Sequence, residues 1–353
     1  MGKCIQLGKL VAGQNKPPII VAELSGNHNQ SLDKALELVR AAKTAGAHAV
    51  KLQTYTADTI TVNGRGKDFF VNDPQSLWHG RNLYELYREA HTPWEWHQPI
   101  FELCKALDLL CFSAPFDATA VDFLESLDCP CYKIASPENT DTILLKKVAT
   151  LGKPMIISTG MATIAELGNA IDTIVKAGCS DYMLLKCTSA YPADPKDINL
   201  ATIPHMRQLF DCPVGLSDHT LGTAVATTSV AFGSVLIEKH FTLSRSERGV
   251  DSAFSLEPCE LERLVKETEV AWQSIGKIHY GVSSGESTKL ARRSLFVIKD
   301  LKIGDVLTQE NITSKRPGCG IPVMFYDMLL GMKVIKDIPY GTALTWDLIK
   351  ENN

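Results

Sequence analysis

The sequence has no long apolar run, no excess of charge of one sign and no paired cysteine framework. No stretch approaches the 18 or so apolar residues that a membrane-spanning helix needs, and the opening residues MGKCIQLGKL lack the apolar core of a signal peptide. The 36 lysines and arginines stand against 40 aspartates and glutamates, a formal net charge of -4, which gives no general reason to expect nucleic acid or an anionic membrane as partner. The ten cysteines are scattered, several inside apolar runs, which is typical of reduced core residues. We therefore expect a soluble, cytoplasmic protein in which any anion site is local.

Short apolar runs alternate along the chain with amphipathic stretches of helical length, the pattern of repeated βα units around a parallel sheet. The strand candidates are PIIVAEL, AVKLQTY, LLCFSAP, CYKIAS, PMIISTG, YMLLKCTSAYP, PVGLSDH and VLIEKHF. Eight units over roughly 260 residues predict an α/β fold of the (β/α)8 TIM-barrel type, closed by the helix in EPCELERLVKETEVAWQSIG. A doubly wound open sheet is the competing fold, but it normally has fewer strands, and no G-x-G-x-x-G follows the first strand.

The βα rhythm is interrupted twice. An insertion from Thr56 to about His91 follows the second strand, and a long loop on a barrel is more often functional or oligomeric than idle. After Gly276 the sequence becomes polar and rich in Gly and Ser. We predict a barrel domain at residues 1–276, a linker at 277–292 and a small, mostly β domain at 293–353. A module of that size has little core of its own, so we expect it to dock on another surface.

The C-terminal ends of the strands, where the chemistry of a TIM barrel lies, turn polar in nearly every unit. The side chains at these ends are Glu23, Asn27, His28, Lys51, Gln53, Ser113, Lys133, Ser136, Ser158, Thr159, Lys186, Thr188, Ser189, Tyr191, Ser217, Asp218, His219, Glu238, Lys239 and His240. Such a set predicts a polar cavity at one end of the barrel.

Two lysines and two histidines in this set suggest particular ligands. Lysine is rarely buried alone, and Lys51 and Lys133 with neighbouring hydroxyls would bind a phosphate or a carboxylate. The alternative is that both lysines point outward or pair with glutamates. His219 and His240 end consecutive strands and suit a divalent metal such as Mn²⁺ or Zn²⁺. His28 is either a third member of this group or a loop residue, because GNHN also favours a left-handed turn.

Two functions of different class are compatible with these residues. One is an enzyme that holds a phosphorylated substrate beside a divalent metal. The other is a carbohydrate-binding protein whose small β domain supplies the binding surface. The convergence of Lys, Ser, His and Glu side chains favours the enzyme.

Nine motifs, in order, resemble those of the sialic acid synthase family. They are AELSGNHN, AVKLQTY, YKIAS, ISTGMAT, LLKCTSAYP, GLSDHT, IEKHFT, DSAFSLEP and KRPGCGI. This family joins a metal-dependent barrel to a C-terminal antifreeze-like (SAF) domain. Within it, AELSGNHN, TPWEWH and DSAFSLEP are more similar to the pseudaminic acid branch than to the N-acetylneuraminate branch.

The resemblance implies that phosphoenolpyruvate condenses with the open-chain aldehyde of an N-acetylated amino sugar, releasing phosphate and giving a nonulosonic acid. The sugar would be of the 2,4-diacetamido-2,4,6-trideoxy-altrose type and the product pseudaminic acid. Legionaminic and N-acetylneuraminic precursors stay as alternatives. Ser189 stands where relatives that use N-acetylmannosamine tend to have Asn, which is compatible with a different sugar.

The resemblance also implies roles for individual residues. His219 and His240 would hold the metal, most simply Mn²⁺, with Mg²⁺ or Co²⁺ as alternatives, and Glu23 would be the general acid/base beside it. The implied substrate-binding residues are Lys51, Gln53, Ser113, Lys133, Ser136, Ser158, Ser189, Tyr191, Ser217 and Asp251. Arg316, in the SAF domain, would contact the acetamido group in the barrel of the partner subunit of a domain-swapped homodimer. Its alternative role is to cap a β turn before Pro317.

Overall fold

The structure is a computed structural model that describes residues 3–74, 76–283, 285 and 291–350. The chain divides into two compact units, residues 1–276 and 277–353, and each is described by itself. Six residues of the predicted linker, Ser284 and 286–290, lie outside the described residues. No helix of the described ranges is long and apolar enough to cross a membrane.

The strands and helices follow the alternation that the sequence predicts. The strands are β1 (Ile5–Leu7), β2 (Leu10–Ala12), β3 (Ile19–Glu23), β4 (Ala49–Thr54), β5 (Leu110–Pro115), β6 (Tyr132–Ile134), β7 (Met155–Ser158), β8 (Tyr182–Cys187), β9 (Val214–Asp218), β10 (Leu236–His240), β11 (Ser294–Val297), β12 (Ile312–Lys315), β13 (Lys333–Val334) and β14 (Ile349–Lys350). The helices are α1 (Leu32–Thr44), α2 (Ala57–Ile60), α3 (Leu83–Ala90), α4 (His97–Ala106), α5 (Ala118–Ser126), α6 (Thr142–Ala149), α7 (Ile164–Lys176), α8 (Thr202–Phe210), α9 (Ala224–Ala231), α10 (Pro258–Ile275) and α11 (Tyr326–Leu329).

Strands β3 to β10 form one closed parallel barrel, in which β10 pairs with β3 to complete the ring. Each of the eight predicted strands is a barrel strand, so the predicted TIM barrel is confirmed. Because the strands are parallel, their C-terminal ends all lie at one end of the barrel, which we call the mouth. Local signals start the surrounding helices: the Ser31 hydroxyl caps α1, and Thr163 and Glu166 form a reciprocal capping box on α7.

A short antiparallel hairpin, β1–β2, precedes the barrel and was not predicted from the sequence. Its side chains Ile5, Leu7 and Ala12 are buried in the same cluster as barrel residues such as Leu110 and Val214. A Cβ at Gly8, where φ is +53°, would lie 2.7 Å from Leu110 Cδ1, so the turn approaches the barrel closely. The hairpin therefore closes the N-terminal end of the barrel, opposite the mouth. Three-residue strands are too short to give a recognisable period.

The insertion after β4 has structure of its own. Phe70 forms an antiparallel bridge with Asn82, and the Val71 amide donates to the Arg81 carbonyl at 2.9 Å. The Gly80 amide donates back to Val71 at 2.8 Å, and the Asn82 side chain caps α3. These bonds hold the turn around Trp78 between two chain segments.

Residues 277–353 contain the antiparallel pairs β11–β12 and β13–β14, as predicted for a small, mostly β SAF domain. Among the described residues of this unit, eleven buried aliphatic side chains form a core: Leu295, Val297, Leu301, Leu307, Ile312, Ile321, Leu329, Val334, Ile338, Leu344 and Ile349. Arg316 is exposed within this unit, next to β12.

Candidate active site

Three side chains from neighbouring strands lie at the same height in the barrel mouth. Strand register sets Glu23 opposite His240 on β10 and opposite Lys51 on β4. The Lys51 ammonium lies 2.5 Å from Glu23 Oε2 as an ion pair, while Glu23 Oε1 accepts a hydrogen bond from the Ser25 amide at 2.9 Å. Glu23 is fully buried, so its carboxylate is fixed by the barrel rather than by solvent.

Glu238 joins the two lysines of the site. Its Oε1 lies 2.9 Å from Lys51 Nζ and accepts hydrogen bonds from Lys133 Nζ at 3.2 Å and Ser217 Oγ at 3.0 Å. Both lysines therefore point into the mouth, as the predicted anion site requires. Both also pair with glutamate, as the alternative interpretation expects. Burial, reinforced by Lys133 and opposed by Glu238, lowers the pKa of Lys51 to about 7. Burial alone would raise the pKa of Glu238, but Lys133 and Lys51 together hold it well below its ordinary value.

The strands that carry the two histidines are tied together on their outer face. Side chains alternate along a strand, so Glu238 and His240 face the mouth while Lys239 between them faces the helices. Lys239 Nζ lies 3.0 Å from Asp218 Oδ2, both side chains are buried, and the ammonium also donates to the Thr220 carbonyl. This buried ion pair fixes the ends of β9 and β10 next to His219 and His240.

His219 and His240 lie side by side at the ends of two neighbouring strands. Their ring centres are 5.3 Å apart. His219 Nδ1 lies 3.0 Å from the Thr188 carbonyl, which leaves Nε2 for a ligand. Burial, reinforced by His219, lowers the pKa of His240, which favours the neutral imidazole that binds metals, and its buried Nδ1 has no hydrogen-bond partner in the described part of the chain.

The histidine pair does not form a complete metal site by itself. Within the described residues, no group of three His, Cys, Asp or Glu side chains is arranged to hold a metal. Asp251 Oδ2 lies 3.7 Å from His240 Nδ1 and accepts a hydrogen bond from the Ser25 hydroxyl. Two imidazoles and a neighbouring carboxylate are nitrogen and oxygen donors of the type that divalent metal ions bind.

Several polar atoms in the mouth are buried without a protein partner. Among the described residues these include Glu238 Oε2, His240 Nδ1, Ser158 Oγ and Ser189 Oγ. Buried polar groups in native proteins are nearly always hydrogen-bonded, so we expect water or a polar ligand to satisfy these atoms. Gly160 contributes to this shape, because a Cβ there would collide with the hydroxyls of Ser136 and Ser189.

Tyr191 and Gln53 lie on the outer side of this cluster, and Ser113 does not belong to it. The Tyr191 ring centre is 4.4 Å from that of His219, and Gln53 shares the inward face of β4 with Lys51. Ser113 lies on the outer face of β5 and bonds Thr54 Oγ1 at 2.6 Å, so its predicted place in the substrate site is corrected. The correction follows from strand alternation, which the sequence does not fix at this position.

His28 is a buried loop residue at the rim. Its Nδ1 accepts a hydrogen bond from the Gln30 amide at 3.2 Å, and its Nε2 is 3.1 Å from Thr92 Oγ1. Its ring packs edge-on against Trp96 at 5.4 Å. Of the two sequence interpretations, the contacts favour the loop role, which links the first βα loop to the end of the insertion.

The buried position of His28 predicts a pH-dependent stability. Burial, reinforced by His91 and His97, lowers its pKa from 6.5 to about 4. The unfolded chain therefore binds this proton first, so the contribution of His28 is complete above pH 6.5 and is lost as the pH falls towards 4. The free energy of unfolding should therefore decrease between pH 7 and pH 4, and we expect this decrease to be smaller in His28→Asn by about 3 kcal/mol. Urea denaturation at both pH values measures it.

The control for this prediction is His205→Asn, because His205 is exposed on α8. That variant should keep the wild-type pH dependence. An unchanged slope in His28→Asn would contradict the buried, neutral state of His28.

Two carboxylates near the mouth, Glu238 and Glu138, have no role predicted from the sequence. Glu238 was seen at a strand end, but it shares its strand with Lys239, and local pattern does not say which of the two faces inward. Glu138 follows β6 within PEN, where it resembles an ordinary turn residue. Burial raises the pKa of Glu138 to about 7, and its Oε2 is buried without a hydrogen-bond partner in the described ranges. A carboxyl with that pKa can donate or accept a proton near neutral pH.

Comparison with known proteins agrees with this architecture. The profile of the NeuB family matches residues 38–280, and that of the SAF domain matches residues 292–350. The chain is 42% identical to the pseudaminic acid synthase of Helicobacter pylori, over 96% of this chain and 99% of that protein. It is 37% identical to the N,N'-diacetyllegionaminic acid synthase of Legionella pneumophila, over 96% of each chain.

A solved structure gives the same result. The N-acetylneuraminic acid (sialic acid) synthetase of Leptospira borgpetersenii, crystallised with citrate, matches with a TM-score of 0.72 at 30% identity, over 80% of this chain and 94% of that one. The resemblance inferred from the nine motifs is confirmed: the chain belongs to the NeuB family and ends in an SAF domain.

Proposed function

We propose that this protein is an enzyme that condenses phosphoenolpyruvate with an N-acetylated amino sugar, giving a nonulosonic acid and inorganic phosphate. The observation that carries the proposal is the group of buried, unsatisfied polar atoms beside two buried lysines at the barrel mouth. A polar, positively charged site of this kind suits a small, multiply charged, oxygen-rich ligand. The similarity to named synthases over nearly the whole chain supports the reaction.

Phosphoenolpyruvate would bind through the lysines and hydroxyls at the mouth. Lys51 and Lys133 supply positive charge in a site shielded from water, where attraction to a phosphate or carboxylate is strong. The hydroxyl groups proposed to complete the anion site belong to Ser136, Ser158, Ser189 and Ser217. While no substrate is bound, the carboxylate of Glu238 would balance positive charge on the two ammonium groups.

His219 and His240 would hold a divalent metal, with Mn²⁺ proposed and Mg²⁺ or Co²⁺ as alternatives. When bound, the ion would supply Lewis acidity that polarises the aldehyde of the sugar. The methylene carbon of phosphoenolpyruvate forms the new C–C bond with the aldehyde carbon, water adds to the carbon that bears the phosphate, and inorganic phosphate leaves.

Glu23 would act as the general acid/base of this reaction. It is buried at the same strand height as His240, and the Ser25 amide fixes one of its oxygens. Its carboxylate would move the proton of the aldehyde oxygen or of the attacking water. Lys51, 2.5 Å away, would hold the carboxylate in position.

The sugar would occupy the outer part of the mouth, near Gln53, Tyr191 and Asp251. We propose the 2,4-diacetamido-2,4,6-trideoxy-altrose type of sugar and pseudaminic acid as the product, supported by the higher identity to the pseudaminic acid synthase than to the legionaminic one. The legionaminic and N-acetylneuraminic precursors are the alternatives. We further propose a cytoplasmic enzyme that acts as a domain-swapped homodimer.

Measuring phosphate release tests this function. Purified protein is given phosphoenolpyruvate, Mn²⁺ and, separately, the sugar precursors of pseudaminic, legionaminic and N-acetylneuraminic acids. We expect fastest release with the pseudaminic precursor, loss of release after chelation, and recovery when Mn²⁺ is restored. If no sugar supports phosphate release and the isolated residues 282–353 bind sugar, the carbohydrate-binding alternative is favoured.

The proposed role of Arg316 gives a separate prediction. Its guanidinium is exposed in the SAF unit and would donate hydrogen bonds to the acetamido group of the sugar. We expect Arg316→Ala to raise the KM for the sugar about 10-fold or more, the order of one charge-assisted hydrogen bond, with little change in the KM for phosphoenolpyruvate. Steady-state kinetics with each substrate varied in turn provides the measurement.

Arg293→Ala is the matched control, since Arg293 is an exposed arginine of the same unit that bonds only the Ser314 carbonyl among the hydrogen bonds described. It should leave both KM values near wild type. Equal weakening of both substrates by Arg316→Ala would argue against a contact with the sugar.

A further inference from the structure

Trp78, on the insertion after β4, reaches across the barrel mouth to two other loops. Its indole N–H donates a hydrogen bond to the Val250 carbonyl at 3.2 Å, just before Asp251. Its ring centre lies 5.6 Å from that of Tyr191, which follows β8. One side chain of the second βα loop thus contacts the sixth and the eighth, which indicates a function at the mouth for the insertion.

These contacts continue a row of rings that begins at the histidine pair. The Tyr191 ring is 4.4 Å from His219 and 5.4 Å from Phe254, and Phe254 is 4.9 Å from His240. Trp78 is one ring further from His219 than Tyr191 is, and it is only partly buried. The inner part of the mouth is polar and contains Lys51, Lys133, Glu23, Glu238 and the serines; we call it the polar floor. One side of the mouth is formed by Phe254, Tyr191 and, at its outer end, Trp78; we call it the aromatic wall.

We propose that Trp78 contacts the amino sugar at the end remote from its aldehyde and selects sugars whose terminal carbon is a methyl group. The proposal rests on the proposed function, which puts the aldehyde beside His219 and Glu23, so that the rest of the open chain extends outward along the aromatic wall. A methyl group packs favourably on an indole ring, whereas a hydroxymethyl group at the same place would lose hydrogen bonds to water and find an apolar surface.

The size of the effect follows from the chemistry of apolar pockets. A pocket that distinguishes substrates by one small apolar group typically does so by about 10-fold to 200-fold. We expect Trp78→Ala to raise the KM for the 6-deoxy sugar about 10-fold or more and to reduce the preference for the 6-deoxy over the 6-hydroxy sugar by a similar factor. The KM for phosphoenolpyruvate, bound at the polar floor, should change less than about 3-fold.

Trp78→Phe separates contact with the sugar from positioning of the loop. Phenylalanine keeps an apolar ring but cannot donate the hydrogen bond to Val250. If the ring contacts the sugar, Trp78→Phe retains most of the sugar preference that Trp78→Ala loses. If only the hydrogen bond matters, both variants lose the preference equally, and the proposal is overturned.

The matched control is Trp272→Phe. Trp272 is also partly buried, and its indole N–H also donates to a backbone carbonyl, that of Gln14 at 3.1 Å, but it belongs to the last barrel helix, away from the aromatic wall. The control should keep wild-type kinetics and sugar preference.

Tryptophan fluorescence gives a readout that does not depend on turnover. Titration of the full-length protein with the 6-deoxy sugar, in the presence of phosphoenolpyruvate and Mn²⁺ at a temperature where release is slow, should change the emission of wild type and Trp272→Phe, but not that of Trp78→Phe. An equal change in all three proteins would overturn the contact. Phosphate release by the wild type, measured in parallel, distinguishes failure of this inference from failure of the proposed function. If phosphate is released but the Trp78 variants behave as wild type, this inference alone is overturned. If no sugar gives phosphate release, the proposed function is overturned and this inference with it.

Discussion

Replacing Glu238 with glutamine is expected to abolish most phosphate release and to lower the free energy of unfolding by about 3–5 kcal/mol. Glu238 is the carboxylate shared by Lys51, Lys133 and Ser217, and it is nearly inaccessible to solvent. Glutamine has the same shape but no charge, so Lys133 would lose its ion-pair partner inside the barrel. Chemical denaturation and a phosphate-release assay measure the two effects.

An added anion provides a sharper test of this explanation. Inorganic phosphate binds the folded state and should supply the missing negative charge, so it should stabilise the Glu238→Gln variant more than the wild type. The control is Glu262→Gln, which removes an exposed pair with Lys266 on α10 and should cost less than about 1 kcal/mol. A Glu238→Gln protein as stable as wild type, with no response to phosphate, would show that the lysines do not depend on this carboxylate.

Glu23→Gln is expected to fold, to bind metal and to lose about 10²-fold to 10⁴-fold in turnover, the usual contribution of a positioned general acid or base. The amide can still accept the hydrogen bond of the Ser25 amide, and Lys51 keeps its contact with Glu238. The loss should therefore appear in kcat for phosphate release, while thermal stability and the amount of bound Mn²⁺ stay close to wild type.

Glu138→Gln is the informative companion to this variant. Glu138 is the second carboxyl near the mouth that could move a proton at neutral pH, since its pKa is raised to about 7. Near wild-type turnover in Glu23→Gln, combined with strong loss in Glu138→Gln, would transfer the proton role to Glu138. Loss in Glu23→Gln alone would support the assignment to Glu23.

The barrel and the polar residues of its mouth were predictable because strands of a parallel barrel are buried on both faces, so charged and polar residues within them are conspicuous. Lys51 and Lys133 stand out in apolar runs, and each lies in the mouth. The same argument fails where two polar residues are adjacent on a strand, or where the sequence does not show which residues face the inside of the barrel. Ser113 looked equivalent to the serines of other strands, yet it faces the helix layer and bonds Thr54.

Contacts made by the insertion were beyond prediction for a different reason. The path of a long loop depends on distant partners, and nothing in the residues around Trp78 indicates Val250 as its hydrogen-bond partner. The pairing of Asp218 with Lys239 was hidden as well, although both residues were recognised at strand ends, because either could have faced the mouth.

The hairpin that closes the N-terminal end of the barrel has a consequence for the order in which ligands bind. A TIM-barrel interior is packed with side chains and Leu7 is buried in that core at the N-terminal end, so the proposed ligands would enter and leave through the mouth. In the proposed function, an anion bound by Lys51 and Lys133 would lie deeper in the mouth than a sugar beside Tyr191 and Trp78. The anion would therefore bind first and be covered by the sugar. The architecture thus favours an ordered sequence of addition, in which the anion precedes the sugar, and kinetics with one substrate held limiting would display that order.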